Sequence, residues 1–381
     1  MIRTLEIDDC PKLKGLHVDV WGLPPKGWSQ LVEQYDQLFP RLFLEHPWCD
    51  SPIKPLVSDA SGRVNGLVGL MPRPLSFKQQ QITMAVTTQF CVARRDRGKM
   101  VAVQLMHKAL KGSQDLTIAD ESDGDTARFM MALGAHRIPA FEITWFRPLQ
   151  PIATIAAFAA RLPKLGWSHP LTRSLSSRLD RLTGLLNRWP FDVNDSPLSA
   201  IPLTPEIVLD RFNAFTSDRT LRPVYNSENI DWIWQRTSCL SENEMRRNAV
   251  VDDNGEVVGW YIYEVAKSGI GQVFQFIAKP ESASDVLGQL LADAKSQGLA
   301  AITGRVDSLN VPEFASHRGL IHQSTSQFLA HSRNPEILET LQRGDAHLSV
   351  VEGERSLDLG MRSDELPPAT AKAYTKAAES A

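Results

Sequence analysis

No apolar run in this chain approaches the ~20 residues needed to span a bilayer, so no transmembrane helix is expected. The opening residues, Met1-Ile2-Arg3-Thr4-Leu5-Glu6-Ile7-Asp8-Asp9, lack the basic-then-apolar order of a signal peptide and are not expected to act as one. Neither sign of charge dominates. Lys and Arg number 41 against 44 Asp and Glu, a net charge of -3, so nothing global recruits nucleic acid or anionic lipid. Cysteine is scarce. The four, Cys10, Cys49, Cys91 and Cys239, lie far apart with no C-x-x-C pair, which argues against a disulfide framework and against a zinc site. Each reads as a small buried hydrophobe, and the reducing cytoplasm is the expected compartment.

What is present points to an ordinary globular protein in duplicate. A chain of 381 residues exceeds what one core usually supports. Around Asp59 it reads Asp59-Ala60-Ser61-Gly62-Arg63-Val64-Asn65-Gly66, and around Asp252 it reads Asp252-Asp253-Asn254-Gly255-Glu256-Val257-Val258-Gly259. Both fit Asp, Ser or Asn two residues on, then Gly, Val and Gly at alternate positions, which is a hairpin turn between strands. Downstream, residues 101–110 have helical period, with 102, 105, 106, 109 and 110 on one side and Gly112 as a stop. A strand at 116–119, an acidic stretch with Ser122 and a short helix ending near Gly134 follow. The second half runs in parallel: a helix over about 285–296, Gly298, a strand at 300–303, Asp307-Ser308 and a helix ending near Gly319. Gly112 to Ser122 and Gly298 to Ser308 are equally spaced.

Residues 151–197 are not repeated. They open with Pro151, then an apolar stretch to Ala160, then Arg161, Lys164, Arg173, Arg178, Arg181 and Arg188 with Trp167 and Trp189. This composition predicts a basic helical linker, with its apolar side docked and its arginines solvated. A peripheral contact with a membrane surface or a partner is the alternative. Residues 361–381 are expected to be a flexible tail.

The long strand of the first half ends Gln89-Phe90-Cys91-Val92-Ala93 and is followed by Arg94-Arg95-Asp96-Arg97-Gly98-Lys99-Met100, directly before the helix. A tight basic turn between strand and helix is suited to phosphate. The helix start offers unpaired N–H groups and the positive end of the dipole. Glycine admits close approach, and Arg and Lys add charge-assisted contacts. Here the chain resembles the GNAT superfamily of acyl-CoA N-acyltransferases. Their pyrophosphate loop has Gln or Arg, two free positions, Gly, one free position, then Gly or Ala. Arg95 and Gly98 match, and Met100 stands where a small residue is usual. At the equivalent place in the second half, Lys279-Pro280-Glu281-Ser282-Ala283-Ser284-Asp285, the glycine is Ser284 and two carboxylates replace basic residues. Like charges repel a pyrophosphate, so the second half is not expected to hold CoA in this way.

The resemblance implies an α/β (α+β) chain of two tandem GNAT-like domains, each a mixed, mostly antiparallel twisted sheet flanked by helices. The expected domains are residues 1–150, with the loop, and 198–360, degenerate. It implies acetyl-CoA or another acyl-CoA as co-substrate and a small-molecule, amino-sugar or peptide amine as acceptor. Val92, Ala93, Arg95, Arg97, Gly98, Lys99, Met100 and Val101 would bind the cofactor, and a backbone N–H near Val92 would polarise the thioester carbonyl. The tyrosine acid of many relatives is replaced by Met130, and Tyr35 is the only tyrosine of the first half. Asp120 and Glu121 are then the candidate acid–base residues, Asp123 and Asp125 fit helix caps better, and His136 is a weaker candidate. Arg222, Tyr225, Arg305 and Asp307 are candidate acceptor-binding residues, with Trp232 and Trp234 close in sequence. Two alternatives stay open: a FemAB-like aminoacyl transferase, and a non-catalytic protein that binds acyl-CoA or a partner.

Overall fold

The computed structural model describes residues 1–21, 39–60, 62–160, 193, 196–238 and 243–357. Most of the expected linker, including its arginines and tryptophans, lies outside the described residues, as do Tyr35, Cys239 and the expected tail. Only a helix at Pro151–Ala160 and a few residues near 196 represent 151–197. Among the described residues no helix is long and apolar enough to cross a membrane, and no cluster of His, Cys, Asp or Glu is arranged to hold a metal ion.

The strands are β1 (Ile2–Thr4), β2 (Leu56–Ala60), β3 (Arg63–Phe77), β4 (Gln80–Val92), β5 (Leu116–Ser122), β6 (His136–Arg137), β7 (Ile143–Pro148) and β8 (Ser199–Pro202). They continue with β9 (Leu221–Pro223), β10 (Glu244–Val251), β11 (Val257–Val265), β12 (Ile270–Ala278), β13 (Ala301–Arg305), β14 (Leu320–Gln323) and β15 (Gln327–Ser332). The chain divides into two compact units. The first is Met1–Ile138 with Ser326–Thr340 and the residues from Glu352 onward, and the second is Pro139–Thr325 with Leu341–Val351. These bounds differ from the sequence halves 1–150 and 198–360, because each half gives a strand to the other unit's sheet.

The first unit's sheet follows the order β1-β2-β3-β4-β5-β15-β6 and the second unit's β8-β10-β11-β12-β13-β7-β14. The two orders match strand for strand. In each, three antiparallel pairings lead to one parallel pairing, β4 with β5 or β12 with β13, and two antiparallel pairings follow. The exchanged strands, β15 and β7, hold the same place in each order. Both sheets are thus mixed and mostly antiparallel, as expected.

The repeated motif is explained in both copies by the same three devices. Asp59 and Asp252 accept backbone N–H groups of their turns, from Gly62 and from Asn254 and Glu256. Gly62 and Gly255 have φ of +81° and +80°, a conformation that costs other residues ~1–2 kcal/mol. The last glycine lets a helix lie close on the sheet. A Cβ at Gly66 would stand 2.7 Å from Leu105, and one at Gly259 would stand 2.6 Å from the Ile277 carbonyl and 2.9 Å from Val286. Helix Val101–Leu110 buries Leu105, Met106, Ala109 and Leu110 in the first unit. Helix Ala283–Ser296 buries Val286, Leu287, Leu290, Leu291 and Ala294 in the second, starting two residues before the sequence places it. Gly259→Val should therefore lower stability by ~1–3 kcal/mol through overpacking, read as a lower urea midpoint with unchanged slope. A neutral result would show that helix and sheet are not in close contact there.

Candidate functional site

The central parallel pairing is short. β4 pairs with β5 only through Met84, Ala85 and Val86 against Leu116, Thr117 and Ile118. One further link, from the Thr87 hydroxyl to the Ile118 carbonyl at 3.0 Å, marks where the two strands part. On its other edge β4 carries a bulge. Gly69 faces Thr88 while Leu67 faces Cys91, so Gln89 and Phe90 both stand opposite Val68, and Gln89 has φ of +52°. A bulge turns a strand and frees backbone groups from the ladder. From Thr88 to Val92 the β5-facing side of β4 thus borders a wedge rather than a paired strand. Val92 is back in register with Gly66, and the Ala93 N–H is taken by the Asn65 carbonyl at 2.9 Å. Because the Ala93 N–H points to β3, alternation turns the Val92 N–H the other way, toward the wedge, on the side where the sequence expects a donor.

Past Val92 the chain makes a short 3₁₀ helix, Arg94–Asp96, then an open turn into helix Val101–Leu110. The Arg94 N–H donates to Asp19 and its guanidinium to the Val20 carbonyl, which tie the turn to helix Cys10–Trp21. Arg95, Arg97, Gly98, Lys99 and Met100 are exposed, Val101 is half-buried, and Val92 and Ala93 are buried. Gly98 has φ of +86° with open space where a Cβ would be. Met100 is the helix N-cap in the left-handed region, at φ +60°, with no side-chain cap. That conformation is the physical reason for a small residue there, and a methionine carries strain of ~1–2 kcal/mol in it.

Asp96 is a buried carboxylate of the turn that motif matching passes over. It is only 4% exposed and accepts hydrogen bonds from Arg63 at 2.8 Å and Lys99 at 2.9 Å, with Arg95 3.9 Å away. The Arg63 and Lys99 bonds hold its carboxyl well below the usual carboxylate range. It fixes the basic side chains around the turn, and it competes with any anion for them.

The wedge of the first unit is filled from a distant part of the sequence. The 3₁₀ turn Glu354–Leu357 packs on both β4 and β5. The Glu354 N–H donates to Asp120 Oδ1 at 2.7 Å, and Arg355 lies 4.0 Å from Glu121. Gly353 has its Cα so close that a Cβ would come within 1.9 Å of Asp120. Asp120 and Glu121 lie within β5 rather than after it. Asp120 is buried and anchors this segment, while Glu121 is exposed. Asp123 caps helix Gly124–Ala132 by accepting the Thr126 N–H, as its position suggests. Met130 is buried in the core and His136 is exposed in β6.

In the second unit β12 pairs with β13 through Ile270, Gly271 and Gln272 against Ala301, Ile302 and Thr303, and a bulge at Phe274 follows. The strands then diverge, and Ala346–Val350 enter the gap. The Val350 N–H donates to the Phe274 carbonyl and Arg305 to the Leu348 carbonyl. Asp307 meets Arg219 and, at 3.6 Å, His347 Nδ1. Burial would push the Asp307 carboxyl up, but His347 and Arg219 outweigh it and bring it to about 2. Of the residues expected to bind an acceptor, Arg305 and Asp307 line this cavity, and the Tyr225 hydroxyl receives a bond from Gln275, which also lines it. Arg222 does not: its guanidinium bonds the Asn213 carbonyl. His347, Gln275 and Ser308 were not foreseen, since nothing local in the sequence ties 347 to 307.

The loop of the first unit has no counterpart in the second. The 3₁₀ turn Pro280–Ser282 runs straight into the helix, so Ala283, Ser284 and Asp285 are already helical and no open turn remains. The Ser284 hydroxyl lies 3.0 Å from His317 Nε2. For the first unit, Asp120→Ala is expected to cost ~1–3 kcal/mol by leaving a buried N–H unpaired. Glu121→Ala should change stability by less than ~0.5 kcal/mol. Urea midpoints measure both, and equal effects would contradict the anchoring role.

No family model matches the chain, and no curated protein matches it. Solved structures do. A probable N-acyltransferase from Enterococcus faecalis aligns with TM-score 0.55 and 11% identity over 87% of this chain and 72% of its own. A GCN5-related N-acetyltransferase from Anabaena variabilis aligns with TM-score 0.56 and 12% identity over 88% and 73%. Another from Kribbella flavida gives 0.50 and 14% over 87% and 71%. With its parted central strands, bulge and open turn before a helix, the chain has the fold of the GCN5-related N-acetyltransferases.

Proposed function

We propose that the protein is an N-acyltransferase that moves an acyl group from acyl-CoA to a primary amine by direct attack in a ternary complex. The observation that carries this reading is the exposed basic turn Arg95 to Met100, set between a bulged, parted strand and a helix N-terminus. The pyrophosphate would meet Arg95, Arg97, Lys99 and the N–H groups around Gly98 and Val101. The thioester carbonyl would lie beside β4 past the bulge, where the Val92 backbone N–H would oppose the developing oxyanion. Attack needs the free-base amine: nitrogen forms the amide bond, the carbon–sulfur bond breaks, and the thiolate leaves as CoA. Glu121 is the exposed carboxylate nearest the wedge and would take up the amine proton. Asp120 would hold the segment that forms the floor. Acetyl is the simplest acyl group for a wedge already occupied by residues 353–357. The acceptor class is a small molecule, amino sugar or peptide.

A second reading, binding of acyl-CoA without turnover, is favoured by Asp120 being engaged and by buried Met130 at the place of a tyrosine acid.

Acetyl-CoA and CoA are expected to raise the thermal midpoint of the wild-type protein. Gly98→Glu should fold, since space is open there and its left-handed φ costs only ~1–2 kcal/mol, and lose that rise. Ser284→Glu should keep it. Met100→Gly should enlarge it by removing the crowding side chain. No rise in the wild type, or a rise preserved in Gly98→Glu, would overturn the site. Release of free thiol with a panel of amines separates turnover from binding alone.

A further inference from the structure

Helix Val101–Leu110 of the first unit carries its charge on one side. From Arg97 to Gln114 the chain has no Asp or Glu, although the whole protein is slightly acidic, at -3. Arg97 and Lys99 in the open turn, and His107, Lys108 and Lys111 along the helix, are all exposed. The helix positions share the solvent face, while the core takes Leu105, Met106, Ala109 and Leu110. The result is a basic stripe that begins at the turn beside the wedge and runs the length of the helix. Arg95 and Lys99 lean on Asp96, whereas among the described residues Arg97, Lys108 and Lys111 are in no ion pair.

The length of the stripe decides what it can serve. At about 1.5 Å per residue, Lys108 and Lys111 stand ~10 Å and ~15 Å along the axis from the helix start. Exposed charges are screened over about 8 Å at physiological ionic strength, so these two add little hold on a phosphate at the turn. A partner with its own spread of negative charge would use them all. Two classes of anionic surface fit poorly. No Phe, Tyr or Trp lies between Arg97 and Gln114 for a nucleobase to stack on. The apolar side that a membrane-surface helix needs is buried in the core here. An acidic protein remains, and Met100, 57% exposed at the head of the stripe, offers it an apolar contact.

We infer that this stripe docks an acidic carrier protein that bears the acyl group as a phosphopantetheine thioester, so that the arm's phosphodiester meets the turn and the arm enters the wedge. Naming the partner as acyl donor rests on the acyl-transfer reading above; the docking of an acidic protein does not. Asp96 agrees with a donor of this kind: it engages Arg63 and Lys99 from within, which leaves the turn better matched to one phosphate charge than to several. In the transfer, the acceptor nitrogen forms the amide bond to the acyl carbon, the carbon–sulfur bond breaks, and the arm leaves as a thiol that carries the proton lost by the amine.

The test uses the full-length protein and an acyl carrier protein of net negative charge, prepared without its arm, with the free-thiol arm and with the acetylated arm. Fluorescence anisotropy of the labelled carrier reads binding at low and at high salt. The acetylated carrier should bind, more weakly as salt rises, and should lose affinity by about tenfold or more in the double variant Lys108→Glu/Lys111→Glu. Lys108→Arg/Lys111→Arg should keep it. Acetyl-CoA should bind the Glu variant within about twofold of the wild type, since the substitutions lie beyond screening range of the turn. Lys108 donates to the Ile2 carbonyl at 3.1 Å on the surface, and the unliganded thermal midpoint shows that its replacement leaves the protein folded. The arm-free carrier should retain a weaker affinity that still depends on the stripe. Absence of carrier binding, binding that survives the Glu substitutions, or an equal loss for acetyl-CoA would overturn the inference. So would tighter, stripe-dependent binding of transfer RNA or of anionic phospholipid vesicles. If acetyl-CoA binds and releases thiol with amines while no carrier form binds, acyl transfer stands and the carrier falls. If the carrier docks through the stripe and neither donor releases thiol, the docking surface stands and acyl transfer falls.

Discussion

The parting of two parallel strands governs each unit. Parallel neighbours satisfy each other's backbone groups only while they remain in register. β4 and β5 do so over three residue pairs, and β12 and β13 do so over three as well. Beyond that point each strand presents N–H and C=O groups to a widening gap, and such groups must find partners. The bulges at Gln89–Phe90 and at Phe274 sit beside the point of divergence and turn the strand away from its neighbour. What each gap receives is a later segment of the chain, which supplies those partners.

Those residues come from late in the sequence. In the second unit, Ala346–Val350 bond β12 and β13 through Phe274, Gln275 and Arg305. In the first, Gly353–Leu357 bond β5 through Asp120. The exchange of β7 and β15 has a related logic. Each is an edge-side strand that antiparallel pairing fixes in place, and each sheet keeps its strand order although the strand comes from the other half. Contacts of such sequence separation tie the end of the chain to the formation of both sheets.

The repeat was legible because its residues act locally. Asp59 and Asp252 bond within their own turns, Gly62 and Gly255 are left-handed, and Gly66 and Gly259 sit under the following helix. All three constraints fall within eight residues and leave a mark at fixed spacing. The open turn was legible for the same reason. The exchange of strands was not, since β7 and β15 have the same alternation whichever sheet they join. Nor was the anchoring of Asp120: a carboxylate that binds a backbone N–H 234 residues away looks, in sequence, like a solvated or catalytic one. His347 was passed over because its meaning lies in Asp307, Phe212 and the cavity, none of them near it in sequence.

The two units show how a shared frame can keep its shape and divide its chemistry. The parting of the strands is set by backbone register and tolerates side-chain change, so it persists in both. The open basic turn of the first unit depends on Gly98 and on the helix starting late, at Val101, which leaves four residues open. In the second unit the helix starts at Ala283, with Ala, Ser and Asp in its first turn, so no open turn precedes it and Asp285 sets a carboxylate at its start. The second unit holds a carboxylate, a histidine and a guanidinium, Asp307, His347 and Arg219, in a cluster past the end of β13. The shared strand order thus carries an open basic turn in one unit and a buried charged cluster in the other, and the difference in helix start is what leaves the turn open in the first alone.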